Sequence, residues 1–568
     1  MPALRPLSPA PEIEVPPEAS ECKIIATEAG RSAEGLVATL HGGNGTVQVA
    51  RLVRLADETD RHAFADAVAE ATTVAPCFIR DGLLDLVAGV EGALRQAEPG
   101  AQTHRPTQAT ELMALAENVE LFHTPDGENF ATVTVDDHKE TWPLRAKGFR
   151  EWLAREYYER HEKAPGGQAL QDALGTLAGK ARYKGPEVTV YTRLAEHDGV
   201  IYLDLGSNRW QVVAITTEGW NVVDNPPVKF RRARGMLPLP YPLPGGSMAL
   251  LEPFVNVEAD DDWRLLIAWL VAALRPRGPY PVLVLHGEQG AAKSTTARVL
   301  RGLIDPNKAA LRSEPREARD LIIAAHNSWV LALDNVSHLS PWLSDALCRL
   351  STGGGFGARE LFSDREETLF DAQRPCILNG IEELATRGDL LDRSVILYLP
   401  SIAKEQRHPE RTFWKRFEEG RARILGALCS VVSHGLQQPE TVALDELPRM
   451  ADFALWVTAA EEALGWEAGT FLQAYDNNRQ AANVLALESS PIVEPLTRLA
   501  RRKDGFRGTA TALLTELNGY IDNNIRRQKG WPSTPQGLSG ILRRLAPNLR
   551  GPRLMWCSWD IKGRPGIG

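Results

Sequence analysis

Nine consecutive residues carry the clearest chemical signal: Gly287, Glu288, Gln289, Gly290, Ala291, Ala292, Lys293, Ser294 and Thr295. They follow the apolar run Val282–His286 and precede a helical pattern that continues to Leu303. Strand, glycine-bearing loop and helix start, in that order, make a phosphate-binding loop, because loop amides and the positive end of the helix macrodipole converge on one anion. In that chemistry Lys293 neutralises the β- and γ-phosphate oxygens of ATP, and the Ser294 hydroxyl ligates Mg²⁺. The glycine usual before the lysine is replaced by Ala292, whose methyl is accommodated if the residue keeps a negative φ; Gly290 preserves the close approach to phosphate.

A second apolar run, Trp329-Val-Leu-Ala-Leu-Asp334, ends in a carboxylate suited to holding the water shell of the magnesium. The next position, where such enzymes usually carry the acid that activates water, is Asn335, whose carboxamide orients water but cannot take its proton. The hydrolytic base is therefore unassigned, although turnover is not excluded, since phosphoryl transfer depends mainly on positioning and charge. A third run ends at Asn379, a polar tip suited to the γ-phosphate or the attacking water. Arg393 follows, and it either reaches a neighbouring subunit's nucleotide as an arginine finger or forms an ion pair with Asp389 or Asp392.

These residues need a scaffold, and the sequence supplies one between 260 and 400. A helix opens on Asp260–Asp262 and stops before Pro276, and the runs Val282–His286, Trp329–Asp334, Cys376–Asn379 and Val395–Leu399 then alternate with helical patterns. Continuous apolar runs of that length suit the buried centre of a mostly parallel sheet, so the reading is an α/β nucleotide-binding core. Residues 401–497 read as helical. Upstream, 238–259 reads as a stiff linker, with prolines at 238, 240, 242 and 244 before Gly245-Gly246.

Residues 105–237 read as an accessory domain: helical from Glu111 to Lys180 with Trp142 and Trp152 as core anchors, then an antiparallel meander between Val188 and Arg231. The basic run Lys229–Arg234 reads as a solvated strand end. Pro99–Thr110 reads as a linker, 23–98 as a small α/β or α+β unit with strands around Gly42–Gly45, and 1–22 as a flexible proline-rich tail.

The 568 residues suffice for several domains, and 43% hydrophobic with 24% charged residues is ordinary for a globular chain. The net charge of -9 argues against a nucleic-acid binder until its distribution is read, because residues 498–568 hold 14 Lys+Arg against 4 Asp+Glu. A basic module on an acidic body suggests an anionic partner, nucleic acid first. Within it Ala510–Asn524 reads as one helix, and Leu538, Ile541, Leu542 and Leu545 give a second helix an apolar face that leaves Arg543 and Arg544 outside it. Arg553–Lys562 reads as a hairpin, and helices followed by a basic hairpin suit a winged-helix fold that would contact DNA through Arg543, Arg544, Arg553 and Lys562. The six cysteines show no metal-ligand spacing, the longest charge-free apolar run, Leu265–Leu274, is too short for a bilayer, and no secretory leader is evident. The expectation is a cytoplasmic protein with no membrane partner.

Four blocks in order, Gly287–Thr295, Trp329–Ser337, Leu343–Pro375 with Gly353-Gly354-Gly355-Phe356, and Asn379–Arg393, resemble the AAA+ ATPase core of superfamily III-type replicative helicases. The likeness is to the primase–helicase-like ATPases of bacterial prophages and other mobile elements, and the loop form is also similar to that of minichromosome maintenance helicases. It covers about 260–400, with softer matches at Pro226–Arg231 and Trp531–Pro535. The resemblance implies Lys293 and Ser294 on nucleotide and magnesium, Asp334 on magnesium, Asn379 as sensor 1 and Arg393 as a finger acting in trans. It also implies a homo-oligomeric, hexameric ring with a DNA-gripping hairpin, here Ala358–Phe370 with its tip at Ser363–Glu367. That tip is acidic apart from Arg365, so either Arg359 and Arg365 make the contact or the tip pairs with protein. A built-in primase is not expected: Asp136-Asp137-His138 is the one carboxylate pair with a histidine in residues 1–250, and it lies in a hydrophilic, turn-like stretch.

Overall fold

A helix that is apolar on every side must be enclosed by other elements. In the computed structural model the run Leu265–Leu274 meets that demand: helix α1 (Asp260–Ala273) lies in the central core, with every residue of the run buried and the Trp269 indole donating to the Pro281 carbonyl at 2.9 Å. The structure describes residues 4–7, 10–14, 22–32, 35–43, 48–72, 74–97, 106–337, 339–354, 356–359, 367–370, 372–380, 388–437, 442, 444, 446–488, 490–501, 506, 508–527 and 530–549. They divide into one unit ending at Leu112 and a second starting at Met113.

The first unit is α+β. Strands Lys23–Ser32, Gly35–Gly43 and Gln48–Arg54 form an antiparallel sheet, and helices Glu58–Thr72 and Pro76–Ala97 cover it through a core that includes Ile24, Leu40, Phe64, Val68 and Leu83. The stretch read as a flexible tail contributes two further strands, since Arg5–Pro6 pairs with Glu28 and Ala29, and Glu12–Glu14 pairs with Lys23–Ile25. Proline is tolerated there because these short strands flank the sheet.

The second unit is built on a four-stranded, all-parallel sheet: β1 (Val282–His286), β2 (Leu331–Leu333), β3 (Cys376–Gly380) and β4 (Ser394–Tyr398), in the order β2-β3-β1-β4. β1 aligns Leu283 with Ile377 on one side and with Val395 on the other. The fold class is therefore mixed α/β with a parallel sheet and many helices, and helices α2 (Lys293–Ile304), α3 (Glu410–Gln437) and α4 (Thr470–Glu488) belong to this unit.

The residues before the sheet differ from the sequence reading. The meander is present as Leu194–His197, Val200–Asp204, Val212–Thr216 and Gly219–Val223. Residues 111–180, expected to be helical, contain a three-stranded antiparallel sheet, Glu120–His123, Asn129–Val135 and His138–Pro143, and the helix Gln108–Leu115 starts inside the expected linker. Trp142 and Trp152 are half-buried.

The proline-rich segment is no free connector. The Leu237 and Leu239 amides donate to the Pro306 and Leu205 carbonyls at 2.9 and 2.8 Å, and the Leu243 amide donates to Ala422 of α3 at 3.0 Å. Leu203, Val213 and Ile215 of the meander share one hydrophobic core with α1, β1 and β4. Four prolines stiffen this crossing, and packing on both sides holds it in place.

Candidate nucleotide site

The loop between β1 and α2 is shaped by its glycines. Gly287 has φ +152°, and a Cβ there would collide with the Leu399 carbonyl; Gly290 has φ +88°. Ala292 corrects the expectation of a negative φ, because it lies at φ +57°, ψ +27° in the left-handed region. That conformation costs a non-glycine residue about 1–2 kcal/mol, so the helix start is held here by its surroundings against a local preference.

Lys293 is half-buried and folds back onto the loop, its Nζ donating to the Gly287 carbonyl at 2.8 Å and the Glu288 carbonyl at 2.7 Å. An ammonium has three N–H groups, so one remains for a ligand. Burial pulls the Lys293 pKa down while the Asp334 carboxylate pulls it up. Burial, and secondarily the Lys293 charge, lower the pKa of His286 at the end of β1. Glu288, Gln289 and Gly290 are exposed, Ala291 is buried and Thr295 is half-buried.

Ser294 and Asp334 come together although forty positions separate them in sequence: the Ser294 hydroxyl donates to Asp334 Oδ1 at 2.8 Å. A hydroxyl and a carboxylate in contact beside a loop of amides is the oxygen donor set that octahedral magnesium takes with few protein ligands. The site thus fits Mg²⁺ with a nucleotide phosphate. Asp334 is fixed by its amide, which donates to the Arg312 carbonyl at 2.8 Å, while the Arg312 amide donates to Ala332 at 2.9 Å.

Asn379 ends β3 beside it and is 1% exposed. Its Oδ1 accepts the Asn335 amide at 2.8 Å, and its Nδ2 is buried with no partner among the described residues. A buried donor without an acceptor is costly, and here it belongs to the strand between β1 and β2, which carry the phosphate loop and Asp334. Asn335 itself is exposed at φ +54°.

Arg393 is turned into its own chain. Its Nη1 donates to the Asp389 carbonyl at 2.8 Å and lies 3.8 Å from the Asp389 carboxylate, and the side chain is 18% exposed. Of the two partners weighed in the sequence, Asp389 is the one engaged; Asp392 instead pairs with Arg449 at 2.8 Å.

Residues 248–481 match the family described as actinomycete integrative conjugative element replication protein, and residues 492–553 match the AICE RepA C-terminal domain. The two stretches match two separate models, one of a replication protein and one of a RepA C-terminal domain. No curated protein matches the chain. Among solved structures it is similar to SCCmec type IV Cch, described as an active helicase, at 12% identity over 72% of this chain and 88% of that one, with a TM-score of 0.41. It is likewise similar to the apo C-terminal region of NrS-1, at 12% identity over 77% of this chain and 89% of that one, with a TM-score of 0.35. Over its two matched stretches, the chain is thus similar to a mobile-element replication protein.

The stretch matching the RepA C-terminal domain includes the helices Val493–Ala500, Ala510–Gly519, Asn523–Arg526 and α5 (Pro535–Leu549). A small core around Leu496, Leu513, Leu517 and Leu538 holds them together. The single helix expected over Ala510–Asn524 is broken after Gly519. Arg543 is exposed on α5, which also carries Arg544; Arg553 and Lys562 lie outside the described residues. The expected DNA-gripping hairpin begins earlier than read, with Phe356–Arg359 paired to Glu367–Phe370, so Glu367 stands in a strand and not at the tip. Arg359 belongs to the first of these strands, and Arg365 lies outside the described residues.

The run read as a solvated strand end is internally paired: Lys229 with Glu120 at 2.6 Å, and Arg232 with Asp204 at 2.6 Å while lying over the Trp210 ring. Asp136 and Asp137 form the turn between two strands, Asp137 pairing with Arg209, while His138 pairs with Glu140. A cavity of about 880 Å³ lined by Trp220, Tyr241, Trp263, His434 and Trp466 shares no residue with the phosphate loop. Among the described residues no helix is long and apolar enough to cross a membrane.

Proposed function

We propose that this chain is an ATP-driven motor on DNA that replicates a mobile element, an AAA+ ATPase of the superfamily III type working as a ring of identical copies, six by the resemblance. The carrying observation is the contact between Ser294 and Asp334 at 2.8 Å, beside a loop whose glycines have the positive φ that close phosphate approach needs. Lys293 and the loop amides hold the triphosphate, Ser294 and Asp334 hold the magnesium, and Asn379 offers its free Nδ2 to the terminal phosphate or the attacking water. Magnesium, when bound, screens the charge that builds on the transferred phosphoryl group. The match of 492–553 to a replication-protein domain supports DNA as the partner of the basic C-terminal module, with Arg543 and Arg544 on α5, and Arg553 and Lys562 beyond it, as contacts. The winged-helix form of that module and a channel role for Arg359 and Arg365 belong to the same proposal.

A second reading has its own support. Asn335 stands where an acid would activate water, and Arg393 is tied to Asp389 of its own chain. Both favour an ATP-gated switch that loads onto or releases DNA without translocating. A forked-duplex unwinding assay with ATP, run beside native mass spectrometry, separates the two. Unwinding by an oligomer supports the motor; ATP-dependent DNA binding without strand separation would overturn it in favour of the switch.

A further inference from the structure

We infer that Asn256 is a positioning residue for ATP, holding the peptide between Ala291 and Ala292 so that the Ala292 amide faces the phosphates; this deepens the proposed nucleotide site and rests on that reading. Ala292 stands at φ +57°, ψ +27°, where an alanine is strained. A strained residue persists only where its surroundings over-determine it. Asn256, half-buried ahead of α1, touches this peptide directly. Its Nδ2 donates to the Ala291 carbonyl at 3.1 Å and to the Pro400 carbonyl at 2.6 Å, so both N–H groups of the carboxamide are engaged.

In a trans peptide the C=O and the N–H point in opposite directions, so a carbonyl drawn toward Asn256 turns the Ala292 N–H away from it. Among the described residues that amide and those of Lys293, Ser294 and Thr295 meet no acceptor; the first to do so is Thr296, which donates to the Ala292 carbonyl at 2.9 Å. A left-handed residue leading into a right-handed helix gathers successive amides into a concavity that holds an anion. The hold on Ala291 therefore fixes the outermost of four free donors.

Asn256 is itself anchored outside the loop. Two residues earlier, the Phe254 ring packs edge-on against Phe413 and Phe417 of α3, with centroids 5.6 and 5.4 Å apart. Its second acceptor, Pro400, follows Leu399, whose amide donates to the His286 carbonyl at the end of β1 at 2.8 Å. A glycine at 292 would reach the left-handed region unaided, whereas alanine has to be kept there. Asn256 and Ala292 together thus do what a glycine does alone. Without the carboxamide the peptide is free to turn to the conformation alanine prefers, and apparent ATP affinity falls with the fraction of loops that remain competent.

The test measures binding of a fluorescent ATP analogue with Mg²⁺, and of adenosine by competition, to the full chain and to Asn256→Ala, Ala292→Gly and Asn256→Ala/Ala292→Gly. Asn256→Ala should bind the analogue about tenfold more weakly, the factor set by alanine's preference against the left-handed region. Adenosine, which has no phosphates, should bind as to the wild type. Ala292→Gly alone should change affinity less than about threefold, and in the double variant glycine should restore it to within about threefold of wild type. Recovery by glycine is the readout that a merely structural asparagine would not give. Should Asn256→Ala not fold, Asn256→Ser takes its place in both backgrounds with the same expectations. An Asn256 variant that binds the analogue like wild type, a loss shared equally by adenosine, or a loss that Ala292→Gly does not recover overturns this inference alone. Wild type that takes up no nucleotide overturns the ATP site with it.

Discussion

Replacing Arg193 with methionine should destabilise the larger unit more than any surface change, and the reason can be counted. Arg193 is fully buried, and its guanidinium donates to Asp305 Oδ1 at 3.1 Å and to the carbonyls of Asp204 and Leu237 at 2.9 Å each. Asp305, 2% exposed, accepts the amides of Trp329 and Val330 through Oδ2 at 2.9 and 3.2 Å. Without Arg193 the buried Asp305 carboxylate keeps Arg301, whose Nη2 lies 3.8 Å from Oδ2, so the loss falls toward or below the low end of the about 3–5 kcal/mol for breaking a buried pair. Two carbonyls losing their donor add about 1 kcal/mol each where water cannot enter. Methionine fills most of the arginine's volume, so little of the loss is cavity. In Arg193→Met/Asp305→Asn the asparagine oxygen still accepts the two amides, but the buried Arg301 loses its carboxylate partner, so the double variant should recover less than about 1 kcal/mol. Urea melts give the four corners of the cycle, with calorimetry to separate the larger unit's transition from that of the smaller. A single-variant loss below about 1 kcal/mol, or a double variant more stable than Arg193→Met by about 2 kcal/mol or more, would refute the reasoning.

The left-handed Ala292 makes a second case: Ala292→Gly relieves about 1–2 kcal/mol of backbone strain and gives back about 0.4–1 in unfolded-state entropy, so melting should rise slightly, whereas a fall of several degrees would place the residue at negative φ. Burial, followed by the neighbouring Asp261, raises the Asp262 pKa to about 6. A carboxyl whose folded pKa exceeds its unfolded value near 3.8 loses stability as pH rises through that window, so Asp262→Asn should stabilise at pH 8 by about 1 kcal/mol after allowing for partial exposure and the helix dipole. That gain should vanish by about pH 4 in paired melts, and a gain independent of pH would contradict the assignment. For Arg393, ATPase lost in Arg393→Ala and partly restored by mixing with Lys293→Ala subunits would support action in trans; loss without restoration, with a lower melting temperature, would support the Asp389 tie as its role.

The nucleotide region was legible because its signals are local and sterically strict. A wholly apolar strand between two others is buried on both faces, so β1 and β3 show in the sequence within a residue or two, as does the apolar edge strand β4, and Asn379 is identifiable as a polar side chain at a buried strand end. What failed was reading φ from residue type. Ala292 reads as accommodated on condition of a negative φ, but packing around the loop holds it in the left-handed region against a preference of about 1–2 kcal/mol. The strand Asn129–Val135 was missed for a different reason. Its Thr and Val residues alternate between the turns at Asp126-Gly127 and Asp136-Asp137, a period-two signal that the helical patterns on either side concealed.

The buried ion pair bears on function through the strand it anchors. Asp305 follows directly on α2, the helix that opens at Lys293 and Ser294, and its carboxylate holds the amides of Trp329 and Val330 at the entrance to β2, which ends beside Asp334. Arg193 reaches that carboxylate from the residue before the first meander strand, and its other bonds go to the carbonyls of Asp204 in the meander, of Leu237 at the head of the proline segment and of Pro306. One guanidinium therefore ties the antiparallel sheet to both arms of the candidate magnesium site. If the sheet were only an appendage, Arg193→Met would lower stability and leave nucleotide affinity unchanged wherever the protein is folded. If the tie sets the distance between Ser294 and Asp334, the same variant at low temperature should bind Mg·ATP more weakly, with metal-free nucleotide binding affected less. Equal loss with and without magnesium would count against the tie.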